Sequence, residues 1–188
     1  MNIYIALLRG INVGGKNIIK MADLKRVFET MGLCEVQTYI QSGNVLFKSN
    51  EEEEILRKKI EYEIEDVFGF SVAVILRDSE ELERIISSCP FSKGEVSEAE
   101  SSSEGESLYV SILAYAPSQE KSEHLNKYRS ENDEYRIIDR EVFLLFRHSI
   151  RNSKLANNLQ KLEIPATVRN WKTINKLVVM AKSMEREK

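Results

Sequence analysis

The sequence predicts an α+β fold made of two similar halves, and three observations predict it. Short apolar runs typical of strands alternate with stretches whose apolar residues recur at helical spacing. The order strand, helix, strand, strand, helix, strand occupies residues 1–90 and returns over residues 107–188. A linker rich in Ser and Glu separates the two at residues 91–106. Because this is the order of the split βαβ, or ferredoxin-like, unit, we predict duplicated ferredoxin-like (βαββαβ) half-domains, each followed by an extra helix.

The first half begins with an apolar run at residues 3–8, which predicts a buried strand. A glycine-rich loop follows, and apolar residues at helical spacing then continue to Gly32, where a helix end is expected. Two β-rich runs, residues 36–40 and 45–48, flank the turn residues 41–44. This arrangement predicts a hairpin.

A second helix, a fourth strand and a closing helix complete the first half. The acidic run at residues 51–54 suits the positive end of a helix dipole, and helix-spaced apolar residues follow it to Phe68. Residues 71–76 predict the fourth strand. Asp78 or Ser79 then provides the cap of a further helix.

The second half repeats these elements in the same order. Residues 108–115 predict a strand, and residues 135–138 and 142–147 predict a hairpin after an intervening helix. Helix-spaced leucines, a short strand at residues 166–168 and the cap residue Asn170 follow. The repetition indicates an internal duplication.

Length and composition restrict the class of protein. The 188 residues have a mass of 21.7 kDa, 42% are hydrophobic and 30% are charged, which excludes fibrous and fully disordered classes. The sequence has no apolar stretch long enough to cross a membrane and no signal peptide, so we expect a cytoplasmic protein without a membrane partner. Cys34 and Cys89 are too few for a disulfide framework and too isolated for a metal site.

The charge is unevenly distributed, although the net charge is only −3. Residues 51–106 hold seventeen acidic and six basic residues, whereas residues 147–182 hold eight basic residues and one acidic residue. Such asymmetry can steer an anionic partner even when the whole protein is acidic. A solvated helix surface is the alternative interpretation.

The loop at residues 9–17, with the sequence RGINVGGKN, joins the first strand to the first helix. Its glycines let the backbone approach a ligand, and free amides near a helix start favour phosphate or carboxylate. The spacing fits neither the G-x-G-x-x-G nor the G-x-x-x-x-G-K-[ST] pattern, which argues against a Walker-type nucleotide site. A β–α connection that needs glycines for its turn is the alternative.

Two further segments combine polar side chains at strand ends. The hairpin tip at residues 39–44 carries amide and hydroxyl groups, and residues 167–173 place Arg, Asn and the single Trp side by side. Ordinary turn chemistry explains the first segment equally well. An Asn N-cap with Trp171 packed on the core explains the second.

The three segments lack every residue type that acid–base or covalent catalysis commonly uses. They contain no Asp, Glu, His or Cys. Arg, Lys, Asn, Gln, Ser and main-chain amides instead bind anions and amide or base edges, so the segments favour recognition or electrostatic catalysis. The candidate ligand-binding residues are Arg9, Asn12, Gly14, Gly15, Lys16, Asn17, Gln41, Ser42, Asn44, Arg169, Asn170, Trp171 and Thr173.

These segments also resemble a known family. The stretches ALLRGINVGGKN (residues 6–17) with Met21, TYIQSGNV (residues 38–45) and T-x-RNWKT (residues 167–173) followed by Lys176 are similar to the bacterial domain-of-unknown-function family 1697. The likeness extends from residue 2 to about 182. The resemblance implies a duplicated α+β arrangement of two ferredoxin-like halves, and it implies no particular activity or cofactor.

We therefore predict a binding module for an anionic, phosphate-bearing ligand, such as a phosphorylated small molecule, at the junction of the two halves. Arg9, Lys16 and Arg169 would supply charge, and Trp171 would supply a stacking face. Binding of nucleic acid is an alternative that we do not favour, because the strands lack an exposed aromatic pattern and the pI is 5.6.

Two other hypotheses belong to different classes. An enzyme could act on a phosphate or acyl substrate through Arg and Lys charge stabilisation, with Asp23 or Asp139 brought in by folding. An interaction scaffold could instead use the three segments only to lock the two halves together. In that case Arg169→Ala would cost considerable stability.

Overall fold

The computed structural model describes residues 1–186, which form two compact units. Unit 1 comprises residues 1–84 together with the residues from Asn175 onward, and unit 2 comprises residues 85–174. Each unit contains a four-stranded sheet. In the part of the chain that the structure covers, no helix is long and apolar enough to span a bilayer.

The sheet of unit 1 has the strand order β2-β3-β1-β4, and all neighbouring strands are antiparallel. Its strands are β1 (Asn2–Leu8), β2 (Cys34–Tyr39), β3 (Asn44–Ser49) and β4 (Val74–Asp78). In this order the first and fourth strands pair with each other, and the hairpin of the second and third strands lies on the other side of the first. This is the ferredoxin-like arrangement that the sequence predicts.

Two helices cover one face of this sheet. Helix α1 (Met21–Thr30) connects β1 to β2, and helix α2 (Glu53–Phe68) connects β3 to β4. Phe28 of α1 and Ile60 of α2 are fully buried against alternate residues of the strands. Each such side chain contributes about 1.5–3 kcal/mol when it leaves water, so the amphipathic pattern of both helices fixes which face they bury.

The opposite face of β1 is also buried. Ile5 and Leu7 alternate with the core-facing residues Ala6 and Leu8, and all four side chains have no exposed surface. Burial on both faces explains why the strand has a continuous apolar run in the sequence instead of an alternating pattern.

Helices follow the last strand of each half, as predicted. Helix α3 (Ser79–Ser87) follows β4 directly. A further helix, α4 (Lys93–Ser102), occupies the segment that the composition predicts to be a linker rich in Ser and Glu. A capping box nucleates α4: the Ser92 hydroxyl accepts a hydrogen bond from the Glu95 amide at 3.1 Å, and the Glu95 carboxylate accepts one from the Ser92 amide at 2.7 Å. The buried Ala99 anchors the helix.

Unit 2 has a second sheet with the equivalent order β6-β7-β5-β8, again antiparallel throughout. Its strands are β5 (Leu108–Leu113), β6 (Asp133–Ile138), β7 (Glu141–Phe146) and β8 (Ala166–Asn170). The connecting helices are short. They are α5 (Gln119–His124) and α6 (Lys154–Asn158), and each continues into a 3-10 turn.

Helix α7 (Trp171–Arg186) follows β8 and is the extra helix of the second half. The duplicated ferredoxin-like fold is therefore confirmed. The two units nevertheless differ in extent from the halves predicted at residues 1–90 and 107–188. Residues 85–106 group with unit 2, and α7 from Asn175 onward groups with unit 1. The two units therefore do not follow the order of the elements along the chain.

Candidate functional site

The loop after β1 is a miniature hairpin with two glycines at its tip. Lys16 donates a main-chain hydrogen bond to the carbonyl of Val13 at 3.1 Å, and these two residues pair across the turn. Gly14 and Gly15 have φ values of 58° and 72°. A two-residue turn with both central residues at positive φ favours glycine or asparagine at both positions. The Gly-Gly pair therefore allows the backbone to form this tight turn. A Cβ at either glycine would meet no atom within 4 Å.

Asn12 fixes this loop to the rest of unit 1. Its side-chain amide donates to the carbonyls of Ile19 and Gln41, both at 2.9 Å, and its side-chain oxygen accepts from the Ile19 amide at 2.8 Å. Asn12 also has a φ of 54°, a conformation that asparagine tolerates better than most residues. The side chain is therefore committed to positioning the loop.

Asn17 closes the base of the miniature hairpin. Its main-chain carbonyl accepts from the Asn12 amide at 3.1 Å, and its side-chain amide donates to the carbonyl of Gly10 at 3.3 Å. Like Asn12, it lies at positive φ, 48°. Both asparagines thus occupy backbone positions that most other side chains disfavour.

The hairpin tip between β2 and β3 packs beside the loop. The buried Asn44 donates from its side chain to the carbonyl of Tyr39 at 2.9 Å and to the Ser42 hydroxyl at 3.0 Å. Gly43, at a φ of 81°, accepts from the Leu8 amide at 2.9 Å. Asn44 thus positions the tip from inside, whereas Gln41 is exposed.

The loop and the residues directly after it carry exposed basic side chains. Arg9, Lys16 and Lys20 are exposed, and within residues 1–186 none of them forms an ion pair. The sequence contains no acidic residue before Asp23, which lies 4.0 Å from Arg26. The three cations are therefore available to an anion. Lys20 is an addition to the predicted set, and it was missed because it follows the glycine-rich stretch.

In unit 2, Arg169 is buried within the sheet. Its guanidinium donates to the Thr167 hydroxyl at 2.6 Å and to the Val168 carbonyl at 2.9 Å. Burial lowers the pKa of this guanidinium to about 10, so it remains charged at neutral pH. Its side chain therefore supports the strand that carries it.

Asn170 and Trp171 begin the last helix. The Asn170 side-chain oxygen accepts from the Thr173 amide at 2.8 Å, which is the geometry of an N-cap. Trp171 is partly buried, and its ring centroid lies 6.4 Å from that of Phe143. Thr173 itself is buried. The contacts of residues 167–173 therefore stabilise the end of β8 and the start of α7 in unit 2.

The first half contains the same arrangement at the end of β4. Arg77 is buried, and the following Asp78 accepts from the Glu81 amide at 2.8 Å to cap α3. A buried arginine followed by a capping Asp or Asn thus ends the last strand of both halves. The repetition indicates that this pair of residues has a structural role in each half of the duplicated fold.

The arrangement of acidic, histidine and cysteine side chains offers no metal site in the described part of the chain. Within the residues that the structure describes, no group of three or more His, Cys, Asp or Glu side chains is placed to hold a metal ion. Around the loop and tip, the chemistry on offer is cationic side chains, amides and hydroxyls. Such groups bind and orient anions.

Comparison with known proteins agrees with the fold. The chain resembles the conserved bacterial protein SP0830 from Streptococcus pneumoniae, with a TM-score of 0.69 and 21% identity over 96% of this chain and 98% of that one. No curated protein matches the chain.

A family model, described as a protein of unknown function (DUF1697), matches residues 1–143. The matched region contains the loop at residues 9–17 and the hairpin tip, and it ends before the segment 167–173. Since the match covers most of the 188 residues, the chain belongs to the DUF1697 family.

Proposed function

We propose that this protein is a binding module for an anionic, phosphate-bearing ligand, which it takes on the surface formed by the loop at residues 9–17 and the hairpin tip at residues 39–44. One observation carries the proposal. A loop held in place by the Asn12 carboxamide presents Arg9, Lys16 and Lys20 to solvent, with no acidic partner for any of them within residues 1–186.

The donors around these cations suit phosphate. Arg9 offers a planar fork for two phosphate oxygens, and Lys16 offers a point charge beside the Gly-Gly tip. The main-chain amides of Gly14 and Gly15 lie at the exposed tip of this turn, and amides in turns can contribute to anion binding. Gln41 and Ser42 add directional hydrogen bonds from the neighbouring tip.

Rigidity favours affinity at this surface. The hydrogen bonds of Asn12, Asn17 and Asn44 fix the loop and the tip before any ligand arrives. A ligand then loses less free energy to ordering the protein. The proposal assigns these three asparagines a positioning role, and it does not depend on the segment 167–173.

Calorimetric titration with inorganic phosphate, pyrophosphate and a short single-stranded RNA, at low and high salt, tests the proposal. We expect saturable binding of at least one phosphate compound that weakens as salt rises. The double variant Arg9→Gln/Lys16→Gln should weaken it by about a hundredfold or more, because charged hydrogen bonds contribute about 1.5–3 kcal/mol each. Lys127→Gln, which removes an exposed lysine of unit 2, is the matched control.

Three results would decide between the hypotheses. Flat titrations with every phosphate compound would overturn the proposal. Equal losses in the double variant and in Lys127→Gln would mean that binding is nonspecific. Saturable binding of the RNA, with none of the small phosphates, would replace the small ligand with nucleic acid.

A further inference from the structure

Aliphatic side chains interrupt the cationic surface of unit 1. Val13, Ile18 and Ile40 are 65%, 61% and 48% exposed. Single exposed apolar residues are ordinary, but these three lie in or directly beside the loop and tip that carry Arg9 and Lys16. Val13 is the residue just before the Gly-Gly turn, a position where polar residues are common.

Hydrogen bonds hold together the backbone segments that carry the three exposed aliphatic residues. The Asn12 carboxamide bonds to Ile19 on one side and to the Gln41 carbonyl on the other. Ile18 and Ile40 are the chain neighbours of those two partners, and Val13 is the neighbour of Asn12 itself. Each aliphatic residue is therefore one position from a group in the same hydrogen-bonded cluster.

Ile40 is also held in an unfavourable backbone conformation. Its φ is 48°, in the left-handed region that β-branched residues avoid. Strain of this kind persists where the surrounding structure imposes it, and it is concentrated at sites of function. An asparagine or glycine would fit this backbone better, so stability does not explain the presence of an exposed isoleucine there.

We propose that the ligand of this surface is an amphiphile, a phosphate group attached to an aliphatic chain. This inference rests on the proposed phosphate site. Arg9, Lys16 and Lys20 bind the phosphate, and the chain lies over Val13, Ile18 and Ile40. Cations alone would bind inorganic phosphate equally well, whereas the aliphatic residues add affinity only for a ligand with an apolar part.

The test compares octyl phosphate with inorganic phosphate and with uncharged octyl glucoside, each as dissolved monomers, by calorimetric titration. Each methylene group that leaves water contributes about fourfold in affinity. Partial burial of the octyl chain should therefore make octyl phosphate bind at least about tenfold more tightly than inorganic phosphate. Octyl glucoside lacks the charge and should bind weakly.

Variants at the aliphatic residues test whether those residues bind the aliphatic chain and not the phosphate. Val13→Ser and Ile18→Ser should reduce octyl phosphate binding by about fivefold or more each and leave inorganic phosphate binding unchanged. Val67→Ser is the matched control, because Val67 lies on α2 of the same unit and is 54% exposed. It should change neither affinity.

The outcomes separate this inference from the proposed function. Equal affinities for octyl phosphate and inorganic phosphate would overturn the amphiphile and leave the phosphate site standing. If neither compound binds, both proposals are wrong.

Sedimentation with phosphatidylglycerol vesicles, compared with phosphatidylcholine vesicles, shows whether the amphiphile is a membrane lipid or a dissolved compound. If the protein binds the anionic vesicles and the Val13→Ser variant does not, the ligand is a lipid amphiphile. If the protein binds octyl phosphate but not the vesicles, the ligand is a dissolved amphiphile.

Discussion

The side chain of Asn12 donates a hydrogen bond to the main-chain carbonyl of Gln41, 2.9 Å away and twenty-nine positions later in the chain. This contact joins the loop after β1 to the tip of the β2–β3 hairpin. Together with the two bonds between the same carboxamide and Ile19, it makes one asparagine the point where three stretches of backbone meet.

Replacing Asn12 should therefore destabilise unit 1. We expect Asn12→Ala to lower the free energy of unfolding by about 3 kcal/mol, since three hydrogen bonds are lost and alanine is strained at a φ of 54°. Asn12→Gly removes the same bonds without the strain and should cost about 1 kcal/mol less. Urea unfolding curves measure both. Equal losses in the two variants would show that the backbone conformation contributes nothing.

Ile40→Asn should stabilise the protein. Asparagine relieves the left-handed strain at this exposed position, and we expect a gain of about 1 kcal/mol. Ile55→Asn is the control, because Ile55 is 49% exposed in helix α2 and Ile40 is 48% exposed. It should lose stability, since asparagine is the poorer helix former. Thermal unfolding compares the two, and a loss in Ile40→Asn would contradict the strain argument.

Gly43 and Gly69 allow steric contact to be separated from backbone conformation. Their φ values are 81° and 78°, but only at Gly43 would a Cβ meet other atoms, 2.7 Å from Ile11 Cδ1 and 2.9 Å from Leu8 Cβ. We expect Gly69→Ala to cost about 1 kcal/mol and Gly43→Ala about 3 kcal/mol. Denaturant unfolding gives both values. Similar costs would mean that the tip moves aside without penalty.

The Glu95 carboxylate should make stability depend on pH at the start of α4. Hydrogen bonds from Arg136 and from Ser92 lower the pKa of Glu95 from 4.5 to about 2. The folded pKa lies below the unfolded one, so the stabilisation is complete above pH 4.5 and is lost as the pH falls towards 2. The difference in melting temperature between wild type and Glu95→Gln should shrink over that interval. A constant difference would contradict the assignment.

Arg169→Ala tests whether the segment 167–173 supports the fold. The side chain is buried and bonds to Thr167 and Val168, so its loss should cost about 2 kcal/mol or more. Lys172→Ala, at an exposed lysine of the adjoining helix, should stay within about 0.5 kcal/mol. Trp171 fluorescence during urea unfolding reports both. A negligible cost for Arg169→Ala would favour the predicted role of this residue in ligand binding.

Local patterns in the sequence were sufficient to predict most elements of the fold. The hairpin predicted from two β-rich runs around residues 41–44 is observed as β2 and β3, with boundaries shifted by one or two residues. Helix α4 was missed because a polar composition typical of linkers outweighed the cap signal of Ser92 and Glu95. A capping box and one buried alanine suffice for a helix that packing supports.

The sequence was sufficient to predict which residue types form the candidate site. It was not sufficient to predict which of them face solvent and which hold the backbone in place. Glycines and cations in the loop at residues 9–17 pointed to an anion, and the exposed Arg9 and Lys16 remain consistent with that prediction. Nothing in the sequence distinguished Asn12 and Asn44, which position backbone, from Gln41, which is exposed. Asn12 and its hydrogen-bond partner Gln41 are twenty-nine positions apart, and such a long-range contact produces no periodic pattern in the sequence.

The sequence by itself determined the order of the elements, the internal duplication and the family, because each is written in local periodicity or in contiguous motifs. Only the tertiary structure decided which side chains face water and which backbone positions are strained. It buried Arg169 in a strand, held Ile40 at a positive φ and left Val13 and Ile18 exposed. Burial and backbone conformation depend on contacts between distant segments, and the packing of the whole chain sets those contacts.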